Sequence, residues 1–447
     1  MALLPYLPAL ASQARETLRS SSEKARGKPF HKAPARRGND LPGRALSGQN
    51  TLGQSASVSF ANRLEEQLVL PIAEEPPEES SRIRIQDRGQ FLARQERWDE
   101  LGRAIRSADN RKAATHCGMP HANLLSVGAR ADIVLAFEHA LADGLSPSLD
   151  GVEALEEVLQ DYADDYAVAE IVAQTHMDIG WLWRGSDWSH EIPERNRALF
   201  EAHFDRASEI IESFSRTALA SPLMAAAKCG LVVAKPKPAL HIADAYERLI
   251  DLNPVHTASM RSLGNFLLPR WFGSYDALEL EARRTAGRTQ NIWGNGAYAW
   301  VYLDALRVDQ GAARQLDTDF FIEALRDILY LQPDQHIANQ LAAYTGITMS
   351  PARTPVEAPD VVRETRKAIH SVFDHILRDR LTELHPLLWA EADLGPDPGT
   401  YLPPRGALIR KGYDCARAAI ASHFKHEILK GKVLDFSRPG LALSSES

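Results

Sequence analysis

From about Gln86 onward, apolar residues return every three or four positions, in block after block of about 12 to 20 residues. A period of 3.6 residues gathers such side chains on one face of an α-helix, whereas a half-buried strand needs a period of two. In residues 89–107 (GQFLARQERWDELGRAIRS), Leu92, Trp98, Leu101 and Ile105 form one apolar stripe bordered by Arg and Glu, so a single amphipathic helix is expected there. Further helices are expected over about Asp132–Ala142, Val168–Trp183, Arg195–Phe214, Pro222–Val233, Ala239–Leu252, Val255–Leu267, Tyr275–Thr289, Tyr298–Arg307 and Phe320–Leu331. The last third offers a long charged helix, about Asp360–Leu384, a Pro- and Gly-rich loop, Gly395–Gly406, a last helix, about Leu408–Leu429, and an end that frays from Arg438. No sustained apolar/polar alternation is bounded by hairpin turns. The fold class is therefore all-α, with negligible strand content and no sheet of three or more strands.

The chain has 447 residues, 44% of them hydrophobic and 25% charged, which suffices for a sizeable core without staples. Its uncharged run Ala113–Ala129 contains two His, one Asn and one Pro, so no transmembrane segment is expected. The start, Met1–Leu10, is broken by Pro5 and Pro8 and lacks leading basic residues, which makes it a poor secretory signal. Cys117, Cys229 and Cys415 are odd in number and form no CxxC pair, so a reducing, cytoplasmic setting fits best. Charge is unevenly spread. Residues 1–57 hold nine Lys or Arg against Glu16, Glu23 and Asp40, a surplus of +6, so the remainder carries −14 of the net −8. Within that tail, residues 12–57 are rich in Ser, Gly, Arg and Lys and too poor in large apolar groups to offset their ordering entropy, so the tail reads as disordered. A short amphipathic stretch follows, and Glu74–Ser81 (EEPPEESS) reads as a polar linker stiffened by proline.

Between Pro222 and Tyr344 the pattern gains a longer period. Gly230, a small residue suited to a close helix crossing, is followed by Tyr246 in the next helix and by Pro254 at its end. Gly264 stands 34 residues after Gly230 with Leu263 before it, and residues 245–254 (AYERLIDLNP) are echoed by 323–333 (EALRDILYLQP). These positions resemble degenerate tetratricopeptide repeats, a family of paired antiparallel helices of 34 residues. Residues 98–102 (WDELG) echo the family's opening, but Gly118 and Pro120 interrupt the second helix there. Generic helical-hairpin packing is the alternative. Residues 254–302, with 269–271 (PRW) and 293–298 (WGNGAY), also resemble bacterial helical domains of unassigned function. The resemblance implies a right-handed helical-hairpin solenoid with extra helices at both ends. It divides the chain into a basic tail (1–57), an amphipathic segment and acidic linker (58–85), an N-terminal helical region (86–221), repeats (222–344) and C-terminal helices (345–447).

Catalytic signatures are missing: no GxxxxGK[ST], no GxSxG and no GxGxxG after a strand. Residues 175–191 (THMDIGWLWRGSDWSHE) crowd His176, Asp178, His190 and Glu191 together and are the one place where a metal-assisted enzyme could form its site. On a helix, however, His176 and Asp178 lie about 200° apart, and packing of Trp181 and Trp183 explains the stretch equally well. His423 and His426, three residues apart, read as a solvated helix face. The basic tail lacks aromatic stacking partners apart from Phe30, so nucleic acid is not the expected partner. Its Arg- and Ser-rich composition also matches a transit or secretion signal.

The favoured reading is therefore a non-enzymatic scaffold without metal or cofactor, binding a protein or peptide partner on a helical-repeat surface. Stacked hairpins line their concave face with first helices, here about Pro222–Val233 and Val255–Leu267. Lys228, His256, Arg261 and Asn265 are expected to be exposed in that groove, with Arg270 and Trp271 at its edge as anchors.

Overall fold

The computed structural model describes residues 67–185, 191–396 and 403–445. Helix dominates it. In chain order, strand β1 (Leu68–Val69) precedes α1 (Pro77–Arg94), α2 (Trp98–Asn110), α3 (His121–Ala142), α4 (Asp150–Asp161), α5 (Tyr166–Arg184) and α6 (Glu194–Ser213). Then come α7 (Pro222–Leu231), α8 (Ile242–Leu252), α9 (Thr257–Phe266), α10 (Tyr275–Trp293), α11 (Gly296–Val308), α12 (Thr318–Leu331) and α13 (Gln335–Ala343), which runs on into a π-helical turn, Tyr344–Thr348. The chain continues through α14 (Asp360–Asp379), α15 (Pro386–Leu394), α16 (Arg405–His423), α17 (Lys425–Leu429), β2 (Lys432–Asp435) and β3 (Ala442–Ser445). No helix among the described residues is long and apolar enough to cross a membrane.

The first helix begins inside the stretch expected to be a linker. Proline at the first helical position is already set for helical φ and lacks an N–H that would go unpaired there, and Glu78 and Glu79 favour the positive end of the helix. Glu78 is also buried, accepting from Thr115 Oγ1 (2.7 Å) and the Cys117 amide (3.0 Å) and pairing with Arg82. A polar composition thus conceals an anchored helix start. The single helix expected over 89–107 is in fact the end of α1 and most of α2. The chain turns between them, with Glu96 in the left-handed region at φ 53°.

Close crossings organise the layers. A Cβ on Gly89 would lie 2.1 Å from the Leu125 carbonyl oxygen and one on Gly128 only 1.9 Å from that of Gln86, so α1 and α3 meet backbone to backbone. Likewise Gly264 of α9 sits against Val301 of α11, and Gly412 of α16 against Pro386 of α15. Gly230 differs, because its nearest neighbour is the flexible end of Met177. Among the described residues two large apolar cores result, with a small third cluster around Phe137, Val152 and Ile179. One gathers α2, α3, α5 and α6 around Val168, Ile171, Val172, Phe204 and Ile211; the larger gathers α8 to α17 around the buried run 297–306 of α11. Helix α7 belongs to both, giving Leu223, Met224, Ala227 and Leu231 to the first and Ala225 and Cys229 to the second. It is apolar all round for that reason.

One expectation about strands fails. β1, β2 and β3 form a three-stranded sheet, β1 parallel and β3 antiparallel to β2, with Leu68 opposite Leu434 and Leu434 opposite Leu443. The sheet uses residues from both ends of the described chain, and the segment expected to fray from Arg438 supplies β3. Each strand is at most four residues long, too short for an alternation to register in sequence.

Candidate functional site

Helix α2 carries two kinds of side chain on one face. Glu100, Arg103 and Ser107, continued by Arg111 just past the helix end, alternate with Ala104 and Ala108 at helical spacing. α1 adds Ile85 and Arg88 along one wall, and α3 adds Leu125 and His121 along the other. Together they line an open cleft of about 520 Å³, to which Ile85, Ala104, Ala108 and Leu125 contribute the apolar surface. The rim is basic.

Arg88 lies 3.7 Å from Glu100, which also takes a hydrogen bond from Arg97. Arg103 and Arg111 donate only to backbone carbonyls of the preceding turn, Asp99 and Ser107, each at 3.1 Å. Neither has a carboxylate partner among the described residues, so their charge is directed to solvent. Burial, reinforced by Arg111 and Arg84, holds His121 below its ordinary pKa despite Glu78, so this imidazole is neutral at physiological pH. The cleft is a basic, partly apolar patch on a body whose net charge is strongly negative.

The residues expected to line a groove over 222–271 do not share an exposed face. His256 and Asn265 are buried, at 8% and 2% exposure, and His256 Nδ1 meets Ser259 Oγ at 3.0 Å. Arg261 turns inward to a bidentate pair with Asp304 (2.6 and 2.9 Å). The cause is the crossing at Gly264, which presses α9 against α11 and covers the face that a concave surface would expose. Lys228 is half-buried near Glu212 (4.0 Å), Arg270 is exposed, and Trp271 is half-buried in an aromatic cluster with Phe266 and Phe272.

The acidic and histidine cluster is also dispersed. Asp178 is bound by Arg130 (2.6 Å), whereas His176, on another side of α5, meets Glu156 (2.9 Å) and His203 (2.9 Å). Arg206 clamps the same Glu156 through two bonds of 2.7 Å. Burial lowers the pKa of both imidazoles, with His203 at about 4, so at neutral pH His176 Nε2–H donates to Glu156 and its Nδ1 accepts from His203. Glu191 is exposed, and His190 lies outside the described residues. Among the described residues no group of three or more His, Cys, Asp or Glu side chains is arranged to hold a metal ion.

No local pattern links Glu156 and His203 to His176, because they stand on α4 and α6, twenty residues before and 27 after it. The basic cleft left a clearer trace, the Arg and Ala/Ser alternation of α2. Comparison with protein-family models, curated proteins and solved structures yields no match.

Proposed function

We propose that the protein is a non-enzymatic scaffold of stacked helical hairpins that docks an acidic, amphipathic helical segment of a partner protein in the cleft between α1, α2 and α3. The observation that carries this reading is the pairing of an apolar lining with Arg103 and Arg111, which have no carboxylate partner among the described residues, on a chain that is otherwise acidic. An amphipathic helix laid in such a groove would bury its apolar positions on Ile85, Ala104, Ala108 and Leu125 and set carboxylates against Arg88, Arg103 and Arg111. The exposed arginines would steer encounter and fix register, while the apolar lining would supply most of the affinity.

The test places a photo-crosslinking residue at Ser107 in the full chain, in the native host, and maps the crosslinked peptides. Expected is a crosslink to a segment with carboxylates and apolar residues at helical spacing, lost in the variant Arg103→Glu/Arg111→Glu and weakened by salt. Both positions are exposed, so the variant should keep its helical spectrum and melt within a few degrees of wild type. Equal crosslinking by the charge-reversed variant, or crosslinks only to basic or wholly apolar segments, would overturn the reading.

A further inference from the structure

Helix α4 has two different faces. Inward, Val152 and Leu155 are buried, and Glu156 is bound by His176 and Arg206. Outward, Asp150, Glu153, Glu157 and Asp161 are exposed, and Asp164 extends the row just past the helix end. The four on the helix fall within about 80° of one another around its axis, so they form one stripe. None of the five has a cationic partner among the described residues. Two leucines lead into this stripe. Leu145 and Leu149 are 63% and 46% exposed, although the backbone that carries them is fixed. The Leu145 amide donates to the Ala140 carbonyl (2.8 Å), and the Leu149 carbonyl accepts from the Val152 and Glu153 amides (2.8 and 2.9 Å). Apolar side chains held outward on an ordered backbone lose little entropy when a partner covers them.

The stripe complements the cleft in charge and in spacing. Arg103, Ser107 and Arg111 recur every four residues along α2 and its end, and Glu153, Glu157 and Asp161 recur every four along α4. Each row spans eight residues, or about 12 Å of helix, so both arginines can meet the two outer carboxylates of the stripe at once. The cleft also offers apolar surface, Ile85 and Leu125 among it, to the exposed leucines. Within one chain the two rows do not meet, since neither has an ionic partner among the described residues.

We infer, on the basis of the docking proposed above, that the occupant of the cleft is a second copy of this chain, which presents the outward face of α4 together with Leu145 and Leu149. These two leucines supply the apolar part of the contact, because the apolar stripe of α4 itself is buried in its own molecule. Carboxylates on the stripe supply the counter-charges that Arg103 and Arg111 lack. Each copy carries both halves, so the contact is heterologous. Made twice about a two-fold axis it closes a dimer, and made once it extends head to tail.

The test follows the purified full chain by sedimentation velocity over a range of concentrations, in low and in high salt. Expected is self-association that weakens as salt rises, because the paired charges are exposed. The variants Arg103→Glu/Arg111→Glu and Glu157→Lys/Asp161→Lys should each weaken it at least about tenfold. Both should keep the helical spectrum, and lysines towards the C-terminal end of α4 suit its dipole. An equimolar mixture of the two variants should associate again, since the original charges meet in one contact and the exchanged charges in the other. A photo-crosslinking residue at Ser107, in a mixture of isotopically light and heavy chains, should join light to heavy within residues 145–161. A wild-type chain that sediments as a monomer throughout, self-association that neither reversal weakens, or a mixture no better associated than its parts would overturn the inference. If one variant does not fold, the other and the wild-type chain decide. A monomeric chain whose Ser107 still crosslinks in the native host to an acidic helical segment of another protein overturns the second copy as occupant and leaves the docking reading standing. Crosslinks only to basic or wholly apolar segments remove both.

Discussion

Glu170 sits at the centre of the smaller core, fully buried on α5, where it accepts a hydrogen bond from Ser126 Oγ at 2.6 Å. Burial raises its carboxyl to about 7, with Asp109 and Asp178 adding to the rise and Arg130 and Ser126 opposing it. A raised folded-state pKa means stability that is fully present below the ordinary value of 4.5 and lost as pH climbs through about 7. The loss should amount to about 3 kcal/mol. Buried histidines work the other way: His256 and His336 are depressed to about 4 and about 3, so their contribution is present above 6.5 and lost as pH falls towards those values. Measured on wild type alone, the two trends overlap. The variant Glu170→Gln separates them, because an amide cannot ionise while both proteins keep the same histidines. Its melting temperature relative to wild type should be higher at pH 8 than at pH 5. A difference that stays constant with pH would mean that Arg130 keeps the carboxylate ionised throughout.

Among elements, the crossing of α9 on α11 makes the sharpest case. A Cβ at Gly264 would fall 1.8 Å from the Val301 carbonyl oxygen, a distance that only separation of the two helices could relieve. Gly264→Ala should therefore cost about 3 kcal/mol or more. At Gly230 the nearest atom is Met177 Sδ at 3.3 Å, which can move, and alanine is the better helix former, so Gly230→Ala should stay within about 1 kcal/mol of wild type. Chemical denaturation of the two variants checks both values. Equal costs would show that the two glycines perform the same packing task, as a regular repeat would require. The contrast also shows what sequence could convey. Helices such as α5, α6 and α12 were legible because each carries its own apolar stripe. α4 and α15 escaped notice, being nine to twelve residues long and, in α4, heavily acidic. The inward turn of Arg261 was hidden because its partner Asp304 stands 43 residues away, on a helix whose register no local pattern reveals. Half of the cleft could be read, since one face of α2 is local, but its walls come from α1 and α3 and depend on how those helices cross.

At the scale of the whole molecule, the segment before α1 ties the early part of the described chain to its end. Val69 accepts from the Phe436 amide (2.9 Å), and Pro71 and Ala73 exchange two bonds of 2.8 Å with Leu384. Arg405 reaches both the Glu74 carbonyl (3.0 Å) and the Glu79 carboxylate, and Leu68 is buried against Leu434 in the sheet. A chain beginning at Gln67 retains all of these contacts, whereas one beginning at Pro77 loses every bond made by residues 68–74. Burial of Leu68 is worth about 2 kcal/mol and each backbone bond about 1, so the shorter chain should lose on the order of 5 kcal/mol. Loss of β1 also leaves β2 and β3 as an isolated hairpin, which is marginal by itself, so hydrogen exchange should quicken at Val433 and Leu434 before it does in α5. The expectation that residues 1–57 are disordered and dispensable concerns positions outside the described residues, and the same experiment addresses it. The chain beginning at Gln67 should melt within about 2 °C of the full chain, because surplus basic residues with few apolar groups have little surface to bury. A loss in that chain as large as in the one beginning at Pro77 would mean that the tail docks on the body. Undiminished stability in the chain beginning at Pro77 would mean that the larger core holds the two ends together without the strand.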